Sequence, residues 1–497
     1  MVVLTVLGAG YFYAARGALL QLLPEETFKR WRNLWLAATL VLFLSHSIWI
    51  WMLVLGAILL AYRRREAHLM GLYLVLLFVA PPAQVEIPGL GIIDHLWVLD
   101  HYRFLALTLL LPAALSLIQR TTTARLGSSP VDWMVLGYLS VMSLLAFREG
   151  NVTSGFRTVL SLWVDIFLPY YVTSRSLQNE DGLRQALTGY VIAAMILALI
   201  AIFEVARNWK MYSAVLVALG VGGGGMSDQY LYRSGLLRPN ATVGNSIVLG
   251  YVLVVGLGFF LYLKEFLTKP LHRFLGLILL TAGIVASLSR GPWVGAILLC
   301  IIYVLIRPRP VKRLLLFGVG GMAVFLVLSQ LPGGQLLIDM LPVVGTIEQG
   351  NVEYRSDLLA AALPVIERNL LFGSYDYLEA PELQVMMQGE GIIDLVNTYI
   401  GVALYSGVVG LTFFVGAFLQ TLRELRTGAR IACERNPEAA ALGQSLFATV
   451  TAIMMIIYTA SSISAVPVVY WLVIGLSVAY AGLMKEWARN PKEGLAS

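Results

Sequence analysis

The chain has 497 residues, 58% of them hydrophobic and 13% charged, with a formal net charge of +6. Soluble domains carry about a quarter charged residues, so this composition excludes a water-soluble globule, and the bilayer is the solvent that tolerates it. The positive balance does not point to nucleic acid, because membrane proteins gather lysine and arginine in their cytoplasmic loops.

Taken in chain order, apolar runs cover 2–22, 34–61, 69–80, 103–119, 131–147, 157–174, 186–206, 244–263, 274–288, 292–306, 313–330, 397–421, 441–461 and 466–484. They predict an all-α, polytopic transmembrane bundle of about 12–14 spans, each wanting about twenty residues. The first run lacks a basic leader and a small-residue cleavage site and reads as a retained span. The run 69–80 is short. The run 34–61 is long and interrupted by Ser45-His46-Ser47, so it is either one tilted helix or two short ones. In the single-helix case Lys29, Arg30 and Arg32 would lie outside.

Basic clusters fall on every second loop from Arg63 onward: Arg63–Arg65, Arg120–Arg125, Arg175–Arg184, Lys264–Arg273, Arg307–Arg313, Arg423–Arg435, and the tail with Lys485, Arg489 and Lys492. The positive-inside rule assigns these to the cytoplasm. Loops 81–102, 148–156, 207–243, 289–291, 331–396 and 461–465 then face outward. The ten acidic against two basic residues of 331–396 agree with that side. The expected organisation is transmembrane helices over 1–330, a large periplasmic loop over 331–396, and C-terminal transmembrane helices with a cytoplasmic tail over 397–497.

Cys300 sits in an apolar run and Cys433 in a charged loop, so no disulfide is expected. Neither these nor the five histidines (His46, His68, His95, His101, His272) show ligand spacing. No metal and no cofactor is expected.

Outward-facing arginines carry the functional signal, since topology disfavours them there. The loop 207–243 holds Arg207, Lys210, Arg233 and Arg238, and a tight turn holds Arg290. Snorkelling to headgroups is the alternative for each. Three segments open helices at this face: Leu237–Ser246, Ser289–Trp293 with Pro292 suited to a first turn, and Asp394–Tyr399, which includes Asn397. Helix starts present unsatisfied N–H groups and the positive end of a dipole, which bind phosphate. Guanidinium forks add matching donors, so Arg238 and Arg290, if they converge, form a pyrophosphate cradle. Arg355 is a further basic candidate, with an ion pair to Glu353 or Asp357 as its alternative. Glu390 and Asp394 would share a helix face if that stretch is helical and supply a general base; N-capping is the alternative for Asp394. Aromatic belts account for Trp97, Trp293, Tyr399 and Trp471.

At these residues the chain resembles the O-antigen ligase and O-antigen polymerase superfamily. Ser287–Gly295 is similar to that family's Ser-Arg-Gly-x-Trp segment, and Leu237–Asn245 to its Arg-Pro-x-Gly-Thr-x-Gly-Asn. Arg355–Gly373 resembles an Arg-rich helix ending in Asn-Pro-Leu-x-Gly. Asn397–Ile400 with Ser406–Leu411 resembles His-Asn-x-Tyr-Leu followed by Glu-x-Gly-Leu-x-Gly. The resemblance spans roughly Arg233 to Phe414. It implies a GT-C-like bundle in the bacterial inner membrane and a metal-independent, inverting glycosyl transfer at the periplasmic face. The implied donor is a glycan on undecaprenyl pyrophosphate, held by Arg238 and Arg290 and transferred to a hydroxyl of a glycan acceptor. The chain departs from the pattern where Val396 replaces the histidine before Asn-x-Tyr, and where Leu370 and Ala241 replace proline and glycine. The base role would then fall to Asp394 or Glu390, unless the acceptor is activated in another way.

The leading expectation is a polymerase of lipid-linked repeat units, for O-antigen, capsule or exopolysaccharide. A ligase moving finished glycan to lipid A core or protein is the alternative within that class. A lipid-linked sugar transporter or flippase is the alternative outside it. Arg238, Arg290 and Arg355 are expected on the pyrophosphate, with Arg233, Asn397 and Tyr399 in a secondary binding role. The expected partners are the lipid bilayer, the glycan donor and acceptor, and a chain-length regulator or other polysaccharide-assembly protein.

Overall fold

The computed structural model describes residues 1–63, 66, 68–89, 91, 94–120, 124–221, 231–233, 235–307, 310–330, 338–339, 350–388 and 391–489. Among them seven helices are long and apolar enough to cross a membrane: His101–Gln119, Pro130–Arg148, Glu180–Arg207, Ser246–Phe266, Thr398–Cys433, Pro437–Tyr458 and Ala465–Arg489. Val2–Ala14, Ile48–Arg63, Pro270–Ala286 and Arg290–Ile306 are shorter apolar helices. Among the described residues sheet is confined to two small antiparallel ribbons, Val85–Pro88 with His95–Leu99 and Tyr232–Arg233 with Leu236–Leu237. The chain is thus an all-α polytopic membrane protein. With no water to satisfy a lipid-facing backbone, helices are the economical way for such a sequence to span.

The run 34–61 resolves into two helices, Glu25–Leu44 and Ile48–Arg63, broken at Ser45–Ser47 where Ser45 is extended (φ −78°, ψ 122°). Arg30 pairs with Glu66 at 2.9 Å, which brings the start of the first helix beside the end of the second. Lys29, Arg30 and Arg32 therefore share an end with Arg63.

Other contacts gather the basic loops at that same end. Gln21 accepts from the Thr268 N–H at 2.7 Å, Arg307 pairs with Glu265 at 3.0 Å, Asn436 donates to Glu180 at 3.3 Å, and Arg435 donates to the Trp487 carbonyl. The alternation read from the loop charges is thus a physical grouping of loops.

The short run 69–80 is helical only over Leu69–Leu76, and Leu72–Ala80 are at most 3% exposed. Its freed carbonyls find partners inside the protein, His101 Nε2 on Leu76 at 3.0 Å and Thr242 Oγ1 on Phe78 at 2.7 Å. Non-helical backbone at this depth requires such partners. A Cβ on Gly189 would lie 2.4 Å from the Gly71 carbonyl oxygen, so the Glu180 helix crosses this half-span backbone to backbone.

The aromatic-belt expectation does not hold. Trp97, Trp293 and Trp471 are no more than 7% exposed. Trp97 Nε1 donates to Ser161 Oγ and Trp293 Nε1 to the Ile284 carbonyl, both at 2.8 Å. Trp471 packs among Tyr138, Phe414 and Tyr470, and the Tyr399 hydroxyl donates to the Met454 carbonyl at 3.1 Å. These rings bind helices to each other rather than to lipid.

At the end opposite the basic loops, Gly350–Arg368 and Pro381–Gln384 form a second small core with the start of the Thr398 helix, through Leu358, Ala362, Val365, Leu383, Ile400 and Leu404. The Thr398 helix is interrupted at Gly407 (φ 64°, ψ −165°). The turn segment Leu370–Ser374 lies across the interruption. Val408 and Val409 N–H donate to the Leu370 and Leu371 carbonyls at 2.8 and 3.2 Å, and Ser374 N–H donates to Leu404 at 2.9 Å. Arg148 closes the join by donating to Gly373 and Tyr405 carbonyls at 2.9 and 2.7 Å. A Cβ on Gly407 would sit 2.4 Å from the Leu371 carbonyl, so only glycine fits at its positive φ.

Candidate active site

Three helices start at this second end. Asn245 caps the Ser246 helix, its Oδ1 accepting from Ile247 N–H at 2.7 Å. Asn397 caps the Thr398 helix, accepting from Tyr399 and Ile400 N–H at 2.9 and 3.3 Å. Ser289 precedes the Arg290 helix without capping it; its Oγ turns to the Ser287 carbonyl at 3.0 Å. The arginine-bearing helix thus opens with first-turn N–H groups that its own N-cap side chain does not cover, at the positive end of the dipole.

The connection 459–464, between the Pro437 and Ala465 helices, ties these starts together. Thr398 Oγ1 donates to Ala460 at 2.8 Å and Ser464 Oγ to Val243 at 3.1 Å. Ser461 Oγ reaches Asp394 Oδ1 at 3.0 Å and the Leu395 carbonyl at 2.8 Å. A Cβ on Gly291 would lie 2.5 Å from Thr459 Oγ1, so the glycine lets the Arg290 helix approach this connection. The sequence reading gave this loop no role. Its signal is Ser461-Ser462-Ile463-Ser464, hydroxyls concentrated between two apolar helices.

Arg355, in the first turns of the Gly350 helix, donates through Nη2 to the Thr459 carbonyl at 3.2 Å. Partial enclosure, together with Arg233 and Arg290, holds its guanidinium below the ordinary arginine value, against Asp394, which pulls it up. That electrostatic coupling places Arg233, Arg290, Arg355 and Asp394 in one neighbourhood. Arg233 lies on the Tyr232–Leu237 ribbon and donates to the Leu288 carbonyl, two residues before Arg290. Leu288 is held at φ +50° with 2% exposure, a strained conformation for a leucine.

Arg238 follows the same ribbon. It is half-buried, and its N–H donates to the Leu231 carbonyl at 2.9 Å. The segment after it is held by Glu204, a 1% exposed carboxylate near the end of the Glu180 helix. Glu204 Oε2 accepts from Asn240 and Ala241 N–H, both at 3.0 Å, and Oε1 from Met211 N–H at 2.9 Å. Lys210, 2% exposed, sets its charge near Glu204. Sequence reasoning missed Glu204. A carboxylate in the last turn of an apolar helix is the cue, because it is costly there unless hydrogen-bonded.

Asp394 is exposed, and its backbone carbonyl accepts from the Tyr354 hydroxyl at 3.1 Å. It is not the cap of the Thr398 helix; Asn397 is. The stretch 391–397 is not helical, with Gly391 at φ +72°, so the shared helix face with Glu390 does not arise. Glu390 itself lies outside the described residues. The Val396 N–H donates to the Asp394 carbonyl at 2.9 Å, and its side chain offers no acidic or basic group.

These features define a polytopic membrane protein with a cationic, hydroxyl-rimmed site at one end of its bundle. Residues 275–415 match the family model described as O-antigen ligase. Over that stretch, 141 of the 497 residues, the chain is similar to the O-antigen ligase family. The matched stretch holds Arg290, Arg355, Asp394, Asn397 and Tyr399, while Arg233 and Arg238 precede it. The family implies a glycosyltransferase-like enzyme working on lipid-linked glycans in a membrane. No curated protein matches the chain.

Proposed function

We propose that this chain polymerises undecaprenyl-pyrophosphate-linked oligosaccharide repeat units at the periplasmic face of the bacterial inner membrane. The supporting observation is the grouping of Arg233, Arg290 and Asp394 about Arg355 where the Arg290 helix begins. Such a site suits a pyrophosphate: the anion relieves mutual repulsion of the guanidiniums, and bidentate forks match its oxygens. The first-turn N–H groups of the Arg290 helix add donors. Arg238, on the segment that follows the Arg233 ribbon, is a further proposed pyrophosphate ligand by its place in the chain.

In the proposed step an acceptor hydroxyl oxygen attacks the anomeric carbon of the donor sugar. Its proton passes to the Asp394 carboxylate, whose position Ser461 fixes. The bond from the anomeric carbon to the pyrophosphate oxygen breaks, configuration inverts, and the arginines hold the charge that develops on the departing lipid pyrophosphate. Residues 331–396 form the large periplasmic loop in this reading and carry Arg355 and Asp394 to the site.

Ligation of finished glycan to lipid A core or protein is the second reading, and the description of the matched family favours it. Val396 in place of a histidine weighs toward polymerisation. Purified protein incubated with lipid-pyrophosphate glycan separates them. Longer glycan on the lipid carrier is the polymerase outcome, glycan on a second acceptor is the ligase outcome, and an unchanged substrate refutes both.

A further inference from the structure

Ser461 bonds Asp394, and its neighbour Ser462 lines a second cavity of about 570 Å³, inside the range of roughly 300–1,000 Å³ usual for small-molecule sites. The other polar walls include Arg103, Ser154, Arg157, Thr158 and Asp165. The cavity is built rather than incidental. Arg103 Nε reaches both Asp165 oxygens at 3.1 and 3.2 Å, Nη2 reaches Oδ2 at 2.8 Å, and Nη1 reaches the Val98 carbonyl at 2.7 Å. Arg157 is fixed by the carbonyls of His95 and Leu96. Trp97 lies under the Arg103 guanidinium at 5.2 Å and donates to Ser161. Asp165 stands in a π turn, Trp163–Phe167, and Arg103 just before another, Ala106–Leu110; such turns re-aim side chains and recur at functional sites.

The Arg103 guanidinium is matched by Asp165, with Asp100 nearby, and Arg157 is taken up by two main-chain carbonyls. A balanced set of fixed donors and acceptors, with hydroxyls between, suits a neutral polyhydroxyl ligand and not a phosphate. A carboxylate has about four lone-pair sites, so Asp165 keeps acceptor capacity beyond its bonds to Arg103.

We propose that this cavity binds the acceptor glycan, seating one sugar ring between Asp165, Arg157 and Ser462 with a hydroxyl directed toward Asp394. The assignment rests on the reading of the chain as a glycan transferase. The test uses lipid-free oligosaccharide, obtained by mild acid cleavage of the cell's own lipid-linked glycan, titrated into the purified full chain in a calorimeter. The expected result is saturable binding to wild type, weakened at least tenfold by Thr158→Phe and by Asp165→Asn. Thr158→Ser keeps the hydroxyl without adding bulk and retains wild-type affinity. No binding to wild type, or unchanged binding to Thr158→Phe and Asp165→Asn in monodisperse protein, overturns the proposal. If the oligosaccharide binds as expected but lipid-linked glycan is never transferred, the transferase reading fails while the cavity's ligand class stands.

Discussion

Arg355 donates to the carbonyl of Thr459 across 3.2 Å, on the short connection whose Ser461 holds the Asp394 carboxylate at 3.0 Å. Cation and carboxylate, 39 residues apart in sequence, are therefore registered against the same six-residue segment. The geometry of that segment should control activity as strongly as the charges do.

Removing a charge tests the cradle directly. Arg290→Ala and Arg355→Ala should each lower turnover of lipid-linked glycan by about 10²–10³-fold, the usual effect of deleting one transition-state donor, while the protein still inserts. Chain-length ladders from cells and product analysis with purified protein provide the measurement. Wild-type ladders from both variants would refute the cradle.

The proposed base makes a sharper demand. Asp394→Asn preserves shape and a hydrogen bond with Ser461, so its loss of turnover should approach the roughly 10²–10⁴-fold attributed to general base catalysis. Ser461→Ala removes one positioning bond and should cost only about tenfold. Full activity in Asp394→Asn eliminates this residue as the proton acceptor.

Gly291→Ala alters no charge. Its new methyl would meet Thr459 Oγ1 at 2.5 Å and push the connection away from Arg355. We expect inserted protein with turnover reduced at least tenfold, and partial recovery in the double variant with Thr459→Gly. An unaffected single variant would show that the close approach has no functional weight.

Ala241 stands at φ +44° with its side chain buried, where left-handed backbone costs an L-residue about 1–2 kcal/mol. Ala241→Gly relieves that strain but loses a buried methyl, so thermal stability should stay within about 1 kcal/mol of wild type. Ala241→Val, β-branched at positive φ, should sharply reduce folded protein. Detergent-solubilised melting curves decide between these outcomes.

Burial pushes the Asp100 carboxyl up to about 6 from its ordinary 3.8, outweighing the opposing pull of Arg103. The folded protein therefore holds a proton that the unfolded chain releases in that window. The associated stability is complete below the ordinary value and is lost as pH rises through about 6. The melting temperature should fall between about pH 4 and about pH 6, and less so in Asp100→Asn, which still caps Arg103 N–H. Identical pH slopes in the two proteins would refute the shift.

The apolar runs made the all-α bundle legible, and the grouping of basic loops followed from their spacing. The break at Ser45–Ser47 was visible as polarity within an apolar run; what decided between one helix and two was the Arg30–Glu66 pair, a contact between residues 36 apart. Arg290, Arg355 and Asp394 stood out because charge at an apolar boundary is costly. Ser461, Thr459 and Glu204 did not, since their importance lies in which backbone groups they meet. The Trp293 and Trp471 indoles misled because boundary position in sequence says nothing about which way a ring faces.

The lattice of main-chain bonds at the interrupted Thr398 helix has one more effect. Leu370 and Leu371 grip the bundle through their carbonyls while their side chains remain exposed. Residues there can drift in size and polarity without shifting the alignment of the segment that bears Arg355. The rim facing water is thereby decoupled from the chemistry, and its surface is at liberty to diversify.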